Sequence, residues 1–89
     1  MEKREIEITN RSGLHARAAA KVVHLASQFR CRVAIVCAGR RASARSIVAV
    51  MLLAASVGST VVVEADGPDE LAAMTAMAAL IEDGFGERT

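Results

Sequence analysis

The chain is organised around the segment Ser12-Gly13-Leu14-His15-Ala16-Arg17-Ala18-Ala19-Ala20-Lys21, where a loop leads into an alanine-rich helix. Beyond it, apolar residues recur at the spacing of one helical face, namely Ala19, Val22, Val23 and Ala26. The spacing predicts a helix over residues 16–29 with His15 as its N-cap. The first N–H groups of a helix have no carbonyl partner and carry partial positive charge, so the segment predicts an anion-binding site.

His15 and Arg17 are the candidate reactive side chains of this segment. Positive charge is disfavoured at a helix N-terminus, and a neutral imidazole offers a nitrogen lone pair that can attack phosphorus. A phosphoryl group on that nitrogen could be bound by the Arg17 guanidinium and by the N–H groups of Ala16, Arg17 and Ala18. By residue type alone, a histidine beside a helix start is more often a surface or packing residue than a reactive one.

Four segments of the chain have the residue pattern of β-strands, namely 4–9, 32–37, 40–44 and 60–65. The second and third flank Ala38-Gly39, which predicts a hairpin. The continuous valines of the fourth predict a central strand with a neighbour on each side. The order of strands and helices predicts an α+β sandwich, one sheet with helices on one face, and by pattern alone leaves a ferredoxin-like arrangement open.

Ser46 and Pro68 mark the starts of two further helices. Ser46 is expected to be an N-cap and Pro68 to occupy position N1. The buried face of the last helix is predicted to contain Leu71, Met74, Ala78 and Ile81. That helix is predicted to end near Gly84, with residues 85–89 frayed.

The composition limits the classes of function. At 89 residues, 53% of them apolar, the chain has room for one domain over residues 1–89 with a core of small side chains. Two Phe, no Tyr or Trp and a net charge of +1 argue against nucleic-acid binding. No segment approaches the roughly 20 apolar residues of a membrane span or resembles a signal sequence, so a cytoplasmic location is expected. Cys31 and Cys37 lack metal-site spacing, and neither a metal nor a cofactor is expected.

The segment Gly13-Leu14-His15-Ala16-Arg17, followed by Ala19-Ala20-Lys21, resembles the active-site signature of the HPr family. These are histidine-containing phosphocarrier proteins of the bacterial phosphoenolpyruvate-dependent phosphotransferase system. The resemblance extends to Arg45-Ser46-Ile47-Val48 and to residues 63–70, and so covers nearly the whole chain. It implies an open-faced β-sandwich, in which three helices lie on one face of a four-stranded antiparallel sheet.

The resemblance also implies the chemistry and the partners. His15, assisted by Arg17, would accept a phosphoryl group on Nδ1 from a phosphoenolpyruvate-charged protein of the enzyme I type. The group would pass to a downstream acceptor of the sugar-uptake or the regulatory branch. Ser46 would be a regulatory phosphorylation site, which implies a serine kinase or phosphorylase as a further partner. Such a chain is a monomeric phosphoryl carrier rather than a stand-alone enzyme.

The candidate partner-binding surface is basic and apolar, which suits an acidic partner. Its predicted members are Lys21, His24, Arg45, Ile47, Val48 and Met51. Simpler interpretations stay open for two residues. Core packing would explain Met51, and a helix cap that stabilises by about 1 kcal/mol would be enough to explain Ser46.

Ala18 departs from the family pattern, which usually has proline directly after the arginine. Proline carries no N–H. If His15 is the N-cap, Ala18 is N3, and its N–H is one of the donors that is free at a helix start. We therefore expect Ala18 to give a phosphoryl group on His15 an extra hydrogen-bond donor and to alter the lifetime of phosphohistidine.

Two other classes of function stay open at the level of sequence. One is a small hydrolase or transferase with His15 as a general base, although a short chain offers little pocket and we expect no acid beside His15. The other is a regulatory interaction module that binds partners through the His15 and Ser46 surface without phosphoryl chemistry.

Overall fold

The computed structural model describes residues 1–87 and contains four strands and three α-helices in the predicted order. The strands are β1 (Glu2–Glu7), β2 (Arg32–Cys37), β3 (Arg40–Ser43) and β4 (Thr60–Asp66). The helices are α1 (Ala16–Ala26), α2 (Ile47–Leu52) and α3 (Glu70–Glu82), and a 3-10 turn follows at Gly84–Gly86. Among residues 1–87, every helix is too short or too polar to cross a lipid bilayer.

The strands form one antiparallel sheet in the order β1-β4-β2-β3. The predicted central position of the valine-rich strand is confirmed, because β4 pairs with β1 on one side and β2 on the other. Val61 and Val63 are fully buried. The hairpin is confirmed as well, since Ala38 and Gly39 have φ angles of 52° and 80°, as a tight turn between twisted strands requires.

The helices cover one face of the sheet and leave the other open. α3 packs against β1 and β4, and α1 packs against α2 and α3. The core between the layers contains mainly Val, Ala, Ile and Met side chains. On the open face, Glu64 lies between Arg41 and Lys3, with 3.5 Å from its Oε2 to the Lys3 Nζ. The α+β open-faced sandwich is therefore confirmed.

The bounds of the first elements differ slightly from those predicted. β1 begins two residues early and ends at Glu7, although Ile8 stays fully buried and its N–H donates to Ser59 O. α1 ends at Ala26, three residues before the predicted end. Ala18 rather than Val23 completes the buried face of α1, and Val23 is half-buried.

The start of α3 corrects two predictions. The N-cap is Asp69, so Pro68 precedes the helix instead of occupying N1. The Asp69 carboxylate accepts the N–H groups of Arg30 and Cys31, at 2.8 and 2.9 Å, and these bonds tie the helix start to the segment just before β2. Leu71 is 68% exposed and not buried. The helix is apolar on every side, so the pattern had no polar face by which to orient it.

The turn after α3 contradicts the prediction that residues 85–89 fray. Gly84 follows the helix with φ of 63°, as predicted for a residue just beyond a C-cap. Phe85 is 1% exposed and belongs to the core. Arg88 and Thr89, which the prediction included, lie outside the described residues.

Replacing Phe85 by alanine is expected to destabilise the fold by about 3–5 kcal/mol, because it empties a large buried site. The matched control is Leu71→Ala, an equally apolar truncation at an exposed position, which we expect to change stability by about 0.5 kcal/mol or less. Urea unfolding of the two variants and the wild type gives both values. Equal stability of the two variants would contradict the packing of Phe85.

Candidate functional site

The predicted N-cap of α1 is confirmed, and it fixes the His15 ring. His15 has extended backbone angles, φ −77° and ψ −179°, and its Nδ1 accepts the N–H of Arg17 at 3.2 Å. Its carbonyl oxygen accepts the N–H of Ala19 at 2.8 Å. A ring nitrogen that accepts a hydrogen bond holds a lone pair. Nδ1 is therefore the unprotonated nitrogen, and it faces the first turn of the helix.

Gly13 allows the loop before His15 to pack closely on the segment after α2. Its φ is 63°, and a Cβ at this position would lie 2.4 Å from the carbonyl oxygen of Ala55. The N–H of Leu14 donates to that same oxygen at 2.9 Å. No other residue type fits this approach, so glycine at this position is needed to present His15 at the helix start.

Glu87 approaches the other ring nitrogen of His15. Its Oε2 contacts Nε2, and its Oε1 accepts a hydrogen bond from Asn10 Nδ2 at 2.9 Å. The Asn10 amide also donates to Gly13 O at 2.9 Å. The expectation that no acid lies beside His15 is wrong, because a residue 72 positions away in the sequence supplies one.

The surroundings of Glu87 favour its charged form. The hydrogen bond from Asn10 and then that from His15 lower the pKa of this carboxyl below 4.5, and the charge on Lys21 acts in the same direction. A group whose pKa is lowered by folding stabilises the folded state above its unfolded pKa. That stabilisation is lost as the pH falls through the lowered value.

Lys21 connects α1 to the turn that carries Glu87. Its Nζ donates to the carbonyl oxygen of Phe85. An open hollow of about 800 Å³ lies between the two elements. Its lining residues are Ser12, His15, Ala16, Arg17, Lys21, Gly86 and Glu87. Arg17 is exposed, so its guanidinium is accessible to a ligand in the hollow.

The backbone at the start of α1 keeps free donors. Among the described residues, the N–H groups of Ala16 and Ala18 have no acceptor, whereas those of Arg17 and Ala19 are bonded. This is the pattern that makes a helix N-terminus bind anions. The hollow therefore combines a ring lone pair, the free N–H of Ala16 and two cationic side chains, whereas Ala18 is fully buried and lies outside the lining of the hollow.

The partner-binding residues predicted from the sequence fall into three places. Lys21 and His24 line an apolar groove beside Arg17, between α1 and α3, together with Ala20, Leu25 and Leu80. Ile47, Val48 and Met51 lie on α2, which packs against α1. Arg45 instead lines a separate hollow with Arg32 and Arg41.

The apolar surface of α2 is larger than predicted. Ile47, Val48 and Met51 are 40%, 65% and 39% exposed, which excludes core packing as the explanation of Met51. Leu52, which the sequence did not single out, is 65% exposed. Ser46 caps the helix as predicted, because its Oγ accepts the N–H of Ala49 at 3.1 Å.

Asn10 and Glu87 are the site residues that sequence reasoning missed. The only local signal in the sequence was that Phe85 lies between two glycines. This pattern is more typical of a defined turn than of a frayed chain end. Within residues 1–87, no group of three or more His, Cys, Asp or Glu side chains is arranged to hold a metal ion.

Comparisons with known proteins give one consistent family. The family model described as "PTS HPr component phosphorylation site" matches residues 2–83. The chain is 52% identical over 87 residues to the phosphocarrier protein HPr of Cupriavidus necator, with 98% of each chain covered. It resembles the crystal structure of HPr-C-His from Thermoanaerobacter tengcongensis, with a TM-score of 0.94, 40% identity and full coverage of both chains. A structure described as an HPr dimer from the same organism matches with a TM-score of 0.77 and 41% identity, covering 98% of this chain and 100% of that one.

Proposed function

We propose, because the chain belongs to the HPr family of phosphocarrier proteins, that it carries a phosphoryl group on Nδ1 of His15. The donor is a phosphoenolpyruvate-charged enzyme I, and the recipient is a downstream acceptor protein of the phosphotransferase system. The choice of Nδ1 as the atom that carries the phosphoryl group rests on one observation. The lone pair of Nδ1 faces a helix start where two N–H groups are free.

The transfer needs only this chain's ring and a phosphohistidine of the donor. The Nδ1 lone pair forms a bond to phosphorus, and the bond between phosphorus and the donor's nitrogen breaks, with its electron pair returning to that nitrogen. The His15 ring, which keeps its proton on Nε2, then carries a positive charge. Transfer to the acceptor reverses these changes at His15, so the chain is a carrier without net turnover.

The groups around Nδ1 would bind the oxygens of the phosphoryl group. The free N–H groups of Ala16 and Ala18 and the N–H of Arg17 are within the first turn of α1. The Arg17 guanidinium can add a charge-assisted pair of hydrogen bonds. Because the helix fixes these donors before the group arrives, the reorganisation is limited to the Arg17 N–H, which passes from Nδ1 to a phosphoryl oxygen.

The docking surface for the protein partners is proposed to surround this site. An acidic partner would contact Lys21 and His24 at the groove, Ile47, Val48 and Met51 on α2, and Arg45 at the edge. The exposed Leu52 extends the apolar part of this surface. Apolar side chains ringed by cations fit a partner whose own surface is apolar and acidic.

Ser46 is proposed as a regulatory phosphorylation site, acted on by a serine kinase. A phosphate there would add a charge of about −1.5 to −2. It would sit beside the exposed Ile47 and Val48 and would repel an acidic partner docked on them. The cap that Ser46 makes with Ala49 explains its structural role, and the two roles are compatible because a helix start tolerates negative charge.

A monomer in the cytoplasm is the proposed working state. A dimer is described for one relative from Thermoanaerobacter tengcongensis. The acceptor is proposed to belong to either the sugar-uptake or the regulatory branch.

The two rival functions are not favoured. Family membership favours phosphoryl transfer over an interaction module without it. Glu87 does supply the acid that a hydrolytic histidine would need. The hollow beside His15 is nevertheless open to solvent. A substrate pocket for hydrolysis would be expected to enclose its ligand.

Replacing His15 by asparagine is expected to abolish labelling of the protein by radioactive phosphoenolpyruvate and enzyme I. Asparagine can still cap α1 but has no nucleophilic ring nitrogen, so the variant should fold and fail only in the chemistry. The comparison variant is His24→Asn, which lies in the proposed docking surface but keeps the His15 ring, so it should reach the same final extent of labelling as the wild type even if its rate is lower. Wild-type label should be acid-labile and alkali-stable, as phosphohistidine is. Acid-stable label, or label that survives in His15→Asn, would refute His15 as the acceptor.

Replacing Ala18 by proline is expected to shorten the lifetime of the phosphorylated protein up to about tenfold, because it removes a hydrogen bond to a charged group. Proline fits the first turn of a helix, so the fold should persist. Ala18→Gly keeps the N–H and is the matched control. Hydrolysis of purified phosphorylated protein, followed at neutral pH, gives the rates. An unchanged rate in Ala18→Pro would remove Ala18 from the phosphoryl-binding group.

A further inference from the structure

Glu87 contributes to the site through both of its carboxylate oxygens. One oxygen contacts His15 Nε2 and the other accepts from Asn10 Nδ2 at 2.9 Å. The side chain is 15% exposed, so these contacts lie mostly out of water. Asn10 is itself 3% exposed and is held by its second bond to Gly13 O. The three side chains thus form a chain of contacts from a buried amide to the reactive ring.

We propose that Glu87 is a positioning residue for phosphoryl transfer, which holds the His15 ring through Nε2 so that Nδ1 faces the first turn of α1 beside the hollow. This inference rests on the proposed function of His15. Because Nδ1 accepts the N–H of Arg17, the ring proton is on Nε2 and donates to Glu87. The two contacts restrain the ring on opposite sides and select the same tautomer.

The turn that carries Glu87 is rigid enough to hold it in place. Phe85 is buried, and its carbonyl oxygen accepts a hydrogen bond from Lys21 Nζ. The N–H groups of Gly86 and Glu87 donate to Asp83 O and Gly84 O at 3.2 and 3.1 Å. The carboxylate is therefore held by the packing of Phe85 and by the backbone hydrogen bonds of the turn that leads to it, as a positioning group requires.

The negative charge of Glu87 also matches the charge that the reaction creates. When Nδ1 bonds to phosphorus, the ring becomes a cation, and its Nε2–H remains bonded to the carboxylate. No proton needs to leave the ring, and Glu87 acts without becoming protonated. The charges that face this carboxylate are those of His15 and Lys21, with the Asn10 amide as a neutral donor.

The test replaces Glu87 by glutamine, which has nearly the same shape. Glutamine replaces one of the two carboxylate oxygens by an NH2 group, which cannot accept a hydrogen bond. Because the buried Asn10 amide is held by Gly13 O, the remaining oxygen is expected to stay with Asn10, and the NH2 group then faces His15 Nε2. We expect the rate of phosphoryl uptake from enzyme I to fall about tenfold, the effect of losing one hydrogen bond between charged groups. The matched control is Glu82→Gln, on the exposed side of α3, which should leave the rate unchanged.

A second measurement on the unphosphorylated protein separates positioning from simple loss of structure. In the wild type, the Nε2 proton of His15 should give an NMR signal protected from exchange with water, and this signal should be lost in Glu87→Gln. Circular dichroism and urea unfolding confirm that both variants are folded.

The outcomes either support the positioning role or overturn it. Loss of both the proton signal and the uptake rate in Glu87→Gln, with Glu82→Gln unaffected, supports it. An uptake rate within about twofold of wild type, or a proton signal that persists in Glu87→Gln, overturns it. If the wild type takes up no label while its Nε2 proton is protected, the proposed function fails and the contact between Glu87 and His15 stands.

Discussion

The hydrogen bond from the Arg17 N–H to His15 Nδ1 is the interaction on which the rest of the site depends. It ends the loop after β1 and begins α1, and it determines which ring nitrogen keeps a lone pair. The bond is possible because Gly13 turns the preceding loop against Ala55 at a distance that no side chain would allow. A single cap thus links the helix start to the chemistry of the ring.

The order of the strands brings the two distant parts of the site together. β1 is an edge strand, and α3 packs on it, so the loop after β1 and the turn after α3 lie at the same end of the molecule. At this end, Gly84 approaches Thr9 and Asn10 so closely that a Cβ on the glycine would touch both. Asn10 and Glu87 meet there, one on each side of His15.

Local patterns predicted the elements of the fold well because their causes are local. The cap at Ser46, the hairpin at Ala38-Gly39 and the central valine strand each depend on neighbouring residues and are found where predicted. Leu71 was placed on the wrong face because an apolar helix gives no local cue to its orientation. Glu87 could not be assigned to the site, since its role depends on a contact with a residue 72 positions away.

The measurement that tests the central claim most directly is an NMR spectrum of the phosphorylated protein with nitrogen-labelled histidine. Coupling between phosphorus and a ring nitrogen identifies the atom that carries the group, and the amide signals of Ala16 and Ala18 show whether their N–H groups bind it. The geometry predicts coupling to Nδ1 of His15 and downfield shifts of both amide protons. A phosphoryl group on Nε2, or amide signals that do not move, would contradict it.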